Sequence, residues 1–221
     1  MLTNIDAVIF DMDGTLVDSM WIWDEIDRVF FAQRKLPYEK KMQHEVEGMH
    51  IEEIAAHFKQ KFDLQDSIKE LVTLWSEMAY EVYKTEVDYK LGVRRFLNYC
   101  RNNKIKMGIA TSNSIEMINA IEDRLDFSEF FDCIVTAYEV QKGKPAPDVY
   151  LEAARQLNVS PDRCLVFEDI PMGMLAGKKA GMNVCGVQDA SSAYQEELKR
   201  SYCDYYINSF HDFFTKEYEE N

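Results

Sequence analysis

Asp11 and Asp13 stand two residues apart in Phe10-Asp11-Met12-Asp13-Gly14-Thr15-Leu16. Carboxylates at this spacing can divide the work of group transfer. One attacks as a metal-bound nucleophile and the other trades a proton. They follow Ala7-Val8-Ile9-Phe10, a short apolar run that reads as a buried strand. Acids delivered by such a strand lie at its carboxyl end, the edge where open α/β sheets bind ligands. Taken alone, Asp-x-Asp-Gly is equally good turn chemistry, and the segments downstream decide between the two readings.

Three further segments set polar residues after expected strands. Thr111-Ser112-Asn113 follows a strand at 106–110, and its hydroxyls and N–H groups suit a phosphate oxygen. Lys142-Gly143-Lys144-Pro145-Ala146-Pro147-Asp148 holds Lys144 beside a turn that its prolines stiffen. Glu168-Asp169 follows Leu165-Val166-Phe167, and Pro171 and Gly173 then open a helix able to approach closely. Each segment alone has a bland reading, as a helix cap, a solvated lysine or surface acids. In sequence order, however, four strand ends carry Asp-x-Asp, Thr-Ser, Lys and Glu-Asp. Carboxylate oxygens are what magnesium prefers. The ion, a lysine and a threonine hydroxyl would neutralise and orient a phosphoryl group for in-line attack.

The elements that must position these groups alternate in texture. Strand patterns at 7–10, 106–110, 134–135, 164–167 and 184–187 are separated by helical ones, which predicts βαβ units. Asn113-Ser114-Ile115-Glu116 reads as a capping box, Pro147 and Asp148 open a helix, and Pro171 and Gly181 bound another. From Val17 to Val87 the pattern is helical throughout. Its expected apolar faces are Ile22, Ile26, Val29 and Phe30; Ile51, Ile54, Ala55 and Phe58; and, after a capping box at Ser67, Leu71, Leu74, Met78 and Val82. This block is expected to be a small four-helix-like bundle over the carboxyl edge of the sheet. The acidic tail from Phe213 to Asn221 is expected to fray. The fold class is α/β: a doubly wound, mostly parallel Rossmann-like sheet with an inserted all-helical domain.

Composition narrows the function. The 221 residues are 47% hydrophobic and 29% charged, ordinary for a globular chain that buries one sizeable core. Neither a membrane-length apolar run nor a signal peptide is read from the sequence, and the expected location is cytoplasmic. Five cysteines at wide spacing, with no CxxC pair, fit reduced core thiols. The net charge of −14 argues against nucleic acid, and it is awkward for an anionic substrate unless a cation reverses the field locally.

With these motifs in this order, the chain resembles the haloacid dehalogenase-like phosphohydrolases. More narrowly, it is similar to the β-phosphoglucomutase-like subfamily with a helical (C1-type) cap. The resemblance covers nearly the whole chain, with a catalytic core over 1–16 and 88–221 and a specificity cap over 17–87. It implies Asp11 as the nucleophile that becomes aspartyl phosphate, and Asp13 as acid for the leaving oxygen and then base for water. It implies Thr111 and Lys144 on the phosphoryl oxygens, with Ser112 and Asn113 beside them. Magnesium would be held by Asp11, the Asp13 carbonyl and Asp169, with Glu168 assisting.

The implied activity is magnesium-dependent hydrolysis of a small phosphomonoester, such as a sugar phosphate, by a monomer or weak dimer that binds neither nucleic acid nor membrane. Gly48, His50 and Trp23 are the cap residues expected to meet substrate. The mutases of this subfamily carry a histidine at the place of Trp23 and an arginine at the place of Ile51, so a phosphatase is expected before a phosphomutase. A non-catalytic metal- or phosphate-binding protein is the alternative from another class. An EF-hand fails, because Leu16 and Ile22 stand where its glycine and bidentate glutamate belong.

Overall fold

The computed structural model describes residues 1–39, 41–46, 49–215 and 219–220. The chain forms two compact units, Ser19–Val87 and the remainder, Met1–Asp18 with Asp88–Asn221.

The helical unit comprises α1 (Met20–Gln33), α2 (Met42–Glu45), α3 (Ile51–Phe62) and α4 (Ile68–Glu86). Among the described residues it therefore has three long helices and one four-residue helix, where a four-helix-like bundle is expected. Leu36 precedes Pro37, a position that disfavours helix, and residues 36–39 form neither helix nor strand. The Ser67 capping box forms as expected: Glu70 N donates to Ser67 Oγ at 3.2 Å and Ser67 N to Glu70 Oε2 at 2.7 Å. On α1 the buried residues are Ile22, Ile26, Phe30 and Phe31, so Phe31 replaces the half-buried Val29 in the stripe. On α4 they are Leu71, Trp75, Ala79 and Tyr83, one position round from the expected face. The large rings decide this rotation, because they remove the most apolar area from water. Trp75 meets Phe30 edge-on at 5.1 Å, and Phe31 meets Phe58 at 5.4 Å.

The sheet unit orders its strands β3-β2-β1-β4-β5-β6-β7. They are β1 (Ala7–Phe10), β2 (Lys106–Thr111), β3 (Cys133–Thr136), β4 (Cys164–Glu168), β5 (Asn183–Val187), β6 (Tyr205–Ile207) and β7 (Glu219–Glu220). All pairs are parallel except β6 with β7. The helices are α5 (Val93–Asn102), α6 (Ile115–Leu125), α7 (Phe127–Phe130), α8 (Asp148–Leu157), α9 (Pro171–Lys179), α10 (Glu196–Tyr202) and α11 (Asp212–Thr215).

Strand β1 is central and buried along its whole length, which is why its sequence is apolar without alternation. Ala7 and Ile9 join a core with Val166, Tyr150 and Met174. Phe10 belongs to an aromatic cluster, stacked on Phe167 at 5.2 Å, with Phe96 packed edge-on against Phe167 at 5.2 Å. Phe10 registers with Ile109 on β2 and Phe167 on β4, so the residues just beyond all three arrive at one edge. Pairing on both sides of β1 makes that edge the place where strand order reverses, the crevice that α/β sheets use for ligands.

Of the tail expected to fray, residues 213–215 and 219–220 are described. Phe213 packs on Phe96 and Tyr99, each at 5.0 Å, and β7 pairs with β6. No helix of the described residues is long and apolar enough to cross a membrane.

Gly92 ties the start of α5 to this same corner. Its φ is +86°, and a Cβ there would lie 2.5 Å from His211 N and 2.8 Å from Phe210 C, both backbone atoms. Gly92→Ala is expected to destabilise the chain by about 2 kcal/mol or more, combining left-handed strain with displaced backbone. Urea denaturation checks this: the midpoint should fall with an unchanged slope, and an unchanged midpoint would contradict the packing described.

Candidate active site

The end of β1 delivers Asp11, whose N–H continues the ladder by donating to Phe167 O at 3.0 Å. Its side chain meets Lys144, whose Nζ lies 2.6 Å from Asp11 Oδ1 and 2.7 Å from Glu168 Oε1. The loop after Asp11 turns sharply, with Leu16 N and Val17 N both donating to Met12 O. This brings the buried Thr15 hydroxyl to donate to Asp169 Oδ1 at 3.1 Å.

Glu168, wholly buried at the end of β4, is a hub. Oε1 accepts from Lys144 and from the Tyr150 hydroxyl at 3.1 Å, and Oε2 accepts from Asp169 N at 2.9 Å and Ile170 N at 3.1 Å. Gly173 makes room for that carboxylate, since a Cβ at this point of α9 would sit 1.6 Å from Glu168 Oε1. The close approach expected of this helix is thus made to Glu168 itself.

At the end of β2 the buried Thr111 Oγ1 accepts from Asn113 N at 3.0 Å, which leaves the hydroxyl proton to donate elsewhere. Helix α6 begins at Ile115 with Ser114 as its N-cap, one residue later than the expected capping box. Asn113 lies just before the cap: its Oδ1 accepts from Ser114 N at 2.9 Å, and its Nδ2 donates to Asp13 Oδ2 at 3.0 Å. Ser112 is exposed.

The structure therefore brings Asp11, Lys144, Glu168 and Asp169 together through direct or shared contacts, and joins Asp13 to Asn113 and Thr111. The remaining expected residues lie in the helical unit. Trp23, half-buried on α1, packs edge-on against Tyr83 at 6.3 Å. His50 is the N-cap of α3, its N–H donating to Glu53 Oε2 at 2.9 Å. Gly48 lies outside the described residues.

Several buried polar groups escaped the sequence reading. Lys90 Nζ donates to Gly14 O at 2.6 Å, to Gln188 O at 2.9 Å and to Asp189 Oδ2 at 2.6 Å, anchoring the loop that carries Asp13. Asp189 lies two residues beyond β5, so the strand-end rule that found the other acids could have found it too. Lys90, Ser192, Lys199 and Tyr150 carry no such signal, because each looks like an ordinary surface or helix residue until the fold buries it.

Charge at this site does not balance. Asp11, Glu168 and Asp169 offer buried carboxylate oxygens that lie within 4.8 Å of one another. Lys144 is the only ammonium paired with them among the described residues. Burial pushes the Asp11 carboxyl up to about 7, with Glu168 adding to the rise and Lys144 opposing it. Asp169 is pushed well above the ordinary range, first by burial and then by Glu168 and Asp11. Burial alone would lower Lys144, but Asp11 and Glu168 hold it well above its usual value, so it stays charged. Asp169 Oδ2 is buried with no hydrogen-bond partner. An orphaned oxygen in an all-oxygen, charge-deficient cluster fits a hard divalent cation.

This deficiency has a measurable sign in the metal-free protein. A carboxyl with a raised folded pKa favours folding below its ordinary value near 3.8, and that contribution is lost as pH rises through about 7. The chelator-treated protein should therefore melt lower at pH 8 than at pH 5, and millimolar magnesium at pH 8 should recover much of the difference. Asp27, pushed up to about 6 by burial in the helical unit, adds a loss of the same sign that magnesium does not reverse. Scanning calorimetry checks both, and a magnesium-independent melt would contradict the assigned cluster.

Residues 8–187 match the family profile described as haloacid dehalogenase-like hydrolase. The chain is 31% identical over 178 residues to the phosphorylated carbohydrates phosphatase of Thermotoga maritima, covering 80% of this chain and 82% of that one. It superposes on CbbY from Rhodobacter sphaeroides, solved in complex with phosphate, with a TM-score of 0.84 at 22% identity, covering 95% and 96% of the two chains. It also superposes on a putative β-phosphoglucomutase from Thermotoga maritima with a TM-score of 0.74 at 28% identity, covering 96% and 99%. Since the profile match spans most of the chain, including Asp11, Thr111, Glu168 and Asp169 at strand ends and Lys144 in the loop after β3, the chain belongs to the haloacid dehalogenase-like hydrolase family.

Proposed function

We propose that this chain, a phosphoric monoester hydrolase, transfers the phosphoryl group of a small phosphorylated metabolite to Asp11 and then to water. The observation that carries the reading is Lys144 Nζ at 2.6 Å from Asp11 Oδ1, with the orphaned Asp169 oxygen in the same buried cluster. A nucleophilic carboxylate held against a charged lysine, beside a vacant acceptor for a cation, suits attack on an anion. The phosphatase relative from Thermotoga maritima supports a sugar phosphate or similar metabolite as the substrate class.

In the first half-reaction an Asp11 oxygen attacks phosphorus, the ester P–O bond breaks, and Asp13 gives its proton to the departing alkoxide. Lys144 and the free Thr111 proton neutralise and orient the phosphoryl oxygens. In the second, Asp13 takes a proton from water as the water attacks phosphorus, releasing phosphate and regenerating the Asp11 carboxylate. Asn113 holds Asp13 in place for both transfers. A divalent ion, magnesium in this reading, would be held by Asp11, Asp169 and the Asp13 carbonyl and would supply charge neutralisation for nucleophile and phosphoryl group. Both Glu168 oxygens already accept hydrogen bonds, so its part is to position Lys144.

The helical unit is the proposed cap that selects substrate, with Trp23 and His50 as its candidate contacts. The likeness to a putative β-phosphoglucomutase favours a second reading, phosphoryl isomerisation on the same scaffold. Trp23 and Ile51 occupy the places of the mutase histidine and arginine, which supports hydrolysis.

Asp11→Asn should lower turnover at least about 10³-fold; a variant within tenfold of the parent would refute the nucleophile. Asp13→Asn should let phosphoenzyme accumulate from an activated ester, seen as one added phosphoryl group in rapid-quench intact mass. The choice between activities rests on β-glucose 1-phosphate. Steady, magnesium-dependent phosphate release without formation of glucose 6-phosphate is expected, and isomerisation outpacing phosphate release would establish the mutase.

A further inference from the structure

Lys199 is wholly buried on α10. It lies beyond residue 187, where the match to the family profile ends. Its Nζ donates to Ser192 Oγ at 3.1 Å, and Ser192 Oγ in turn donates to the backbone carbonyl of Asp169 at 2.8 Å. The Tyr206 ring lies 5.6 Å from the same nitrogen. An ammonium carries three N–H donors, and one neutral hydroxyl with an aromatic face leaves it under-served. Burying such a charge is costly unless a field of opposite sign compensates.

That field comes from the acidic site. Burial pulls the Lys199 pKa down, while the carboxylates of Asp169, Asp189 and Glu168 favour its charged form and Lys90 opposes them. Asp189 already has its own ammonium, from Lys90 at 2.6 Å. The carboxylate with an unpartnered oxygen, Oδ2, is that of Asp169, whose backbone carbonyl is one hydroxyl away from Lys199.

We propose that Lys199, fixed in place by Ser192, is a positive counter-charge to the acidic cluster that weakens the binding of the divalent ion and so keeps that ion exchangeable. The proposal rests on the reading of Asp11, Asp13 and Asp169 as the metal site. In a poorly screened interior a fixed positive charge opposes a second, doubly charged cation over several ångströms, without touching it. Removing the Lys199 charge therefore tightens ion binding, whereas a residue that merely props up the Asp169 loop would loosen the site when removed.

The test is calorimetric titration of the chelator-treated full-length protein with magnesium, repeated with manganese by paramagnetic resonance. Lys199→Met and Lys199→Gln should each lower the dissociation constant about tenfold. Ser192→Ala keeps the charge and should stay within about threefold of the parent. Unchanged or weaker binding in both charge-removed variants would overturn the proposal, as would an equal gain in Ser192→Ala. Failure of both Lys199 variants to fold would make the residue a structural requirement and overturn it equally. A parent that bound neither ion would instead defeat the metal-site reading itself, which keeps the two failures distinguishable.

Discussion

Three buried carboxylates face one paired ammonium, and the geometry around Asp11 follows from managing that imbalance. Lys144 alone cannot neutralise Asp11, Glu168 and Asp169; burial first and then the neighbouring carboxylates push the Asp11 and Asp169 carboxyls up, and one Asp169 oxygen is left without a partner. Such an arrangement is unfavourable for the empty protein. In the proposed reading, a cation and a phosphoryl group arriving together would offset that cost.

Glu168 is the joint through which the surroundings hold that arrangement. Two backbone N–H groups at the mouth of α9 fix one of its oxygens, while Lys144 and Tyr150 share the other. The absence of a side chain at Gly173 is what lets α9 come close enough. The aromatic stack beneath, Phe10 on Phe167, locks the two strands that present Asp11 and Glu168 in one register. Apolar packing thus sets the spacing of charges that would otherwise separate.

Much of this was legible from residue types alone, for a definite physical reason. A buried parallel strand is a continuous apolar run, and whatever polar residue ends it must lie at the sheet edge. That rule located Asp11, Thr111 and Glu168-Asp169, and the proline-flanked Lys144 with them. It would have located Asp189 had it been applied to β5. Lys90, Ser192 and Lys199 were not legible, because a lysine or serine within a helical or loop pattern reads as solvated until tertiary contacts enclose it. Helical faces were read by periodicity, and on α4 the periodicity misled: Leu74, Met78 and Val82 make as good a stripe on paper, but Trp75 and Tyr83 have more surface to hide. Strands β6 and β7 are too short to carry a pattern.

The distances along the chain between the parts of the site have a consequence for how the protein is made. Asp11 and Lys144 are 133 residues apart, and Thr15 and Asp169 are 154 apart. The first strand leaves the ribosome with neither of its sheet neighbours yet synthesised, whereas residues 19–87 form a self-contained helical unit of local contacts. Vectorial synthesis therefore favours that unit as the first to fold, with β1 exposed and unpaired until β2 and then β4 emerge. Its brevity, four residues, limits the time-dependent hazard of an open apolar edge. The cluster around Asp11 is consequently assembled late, only once the chain has been made through Asp169.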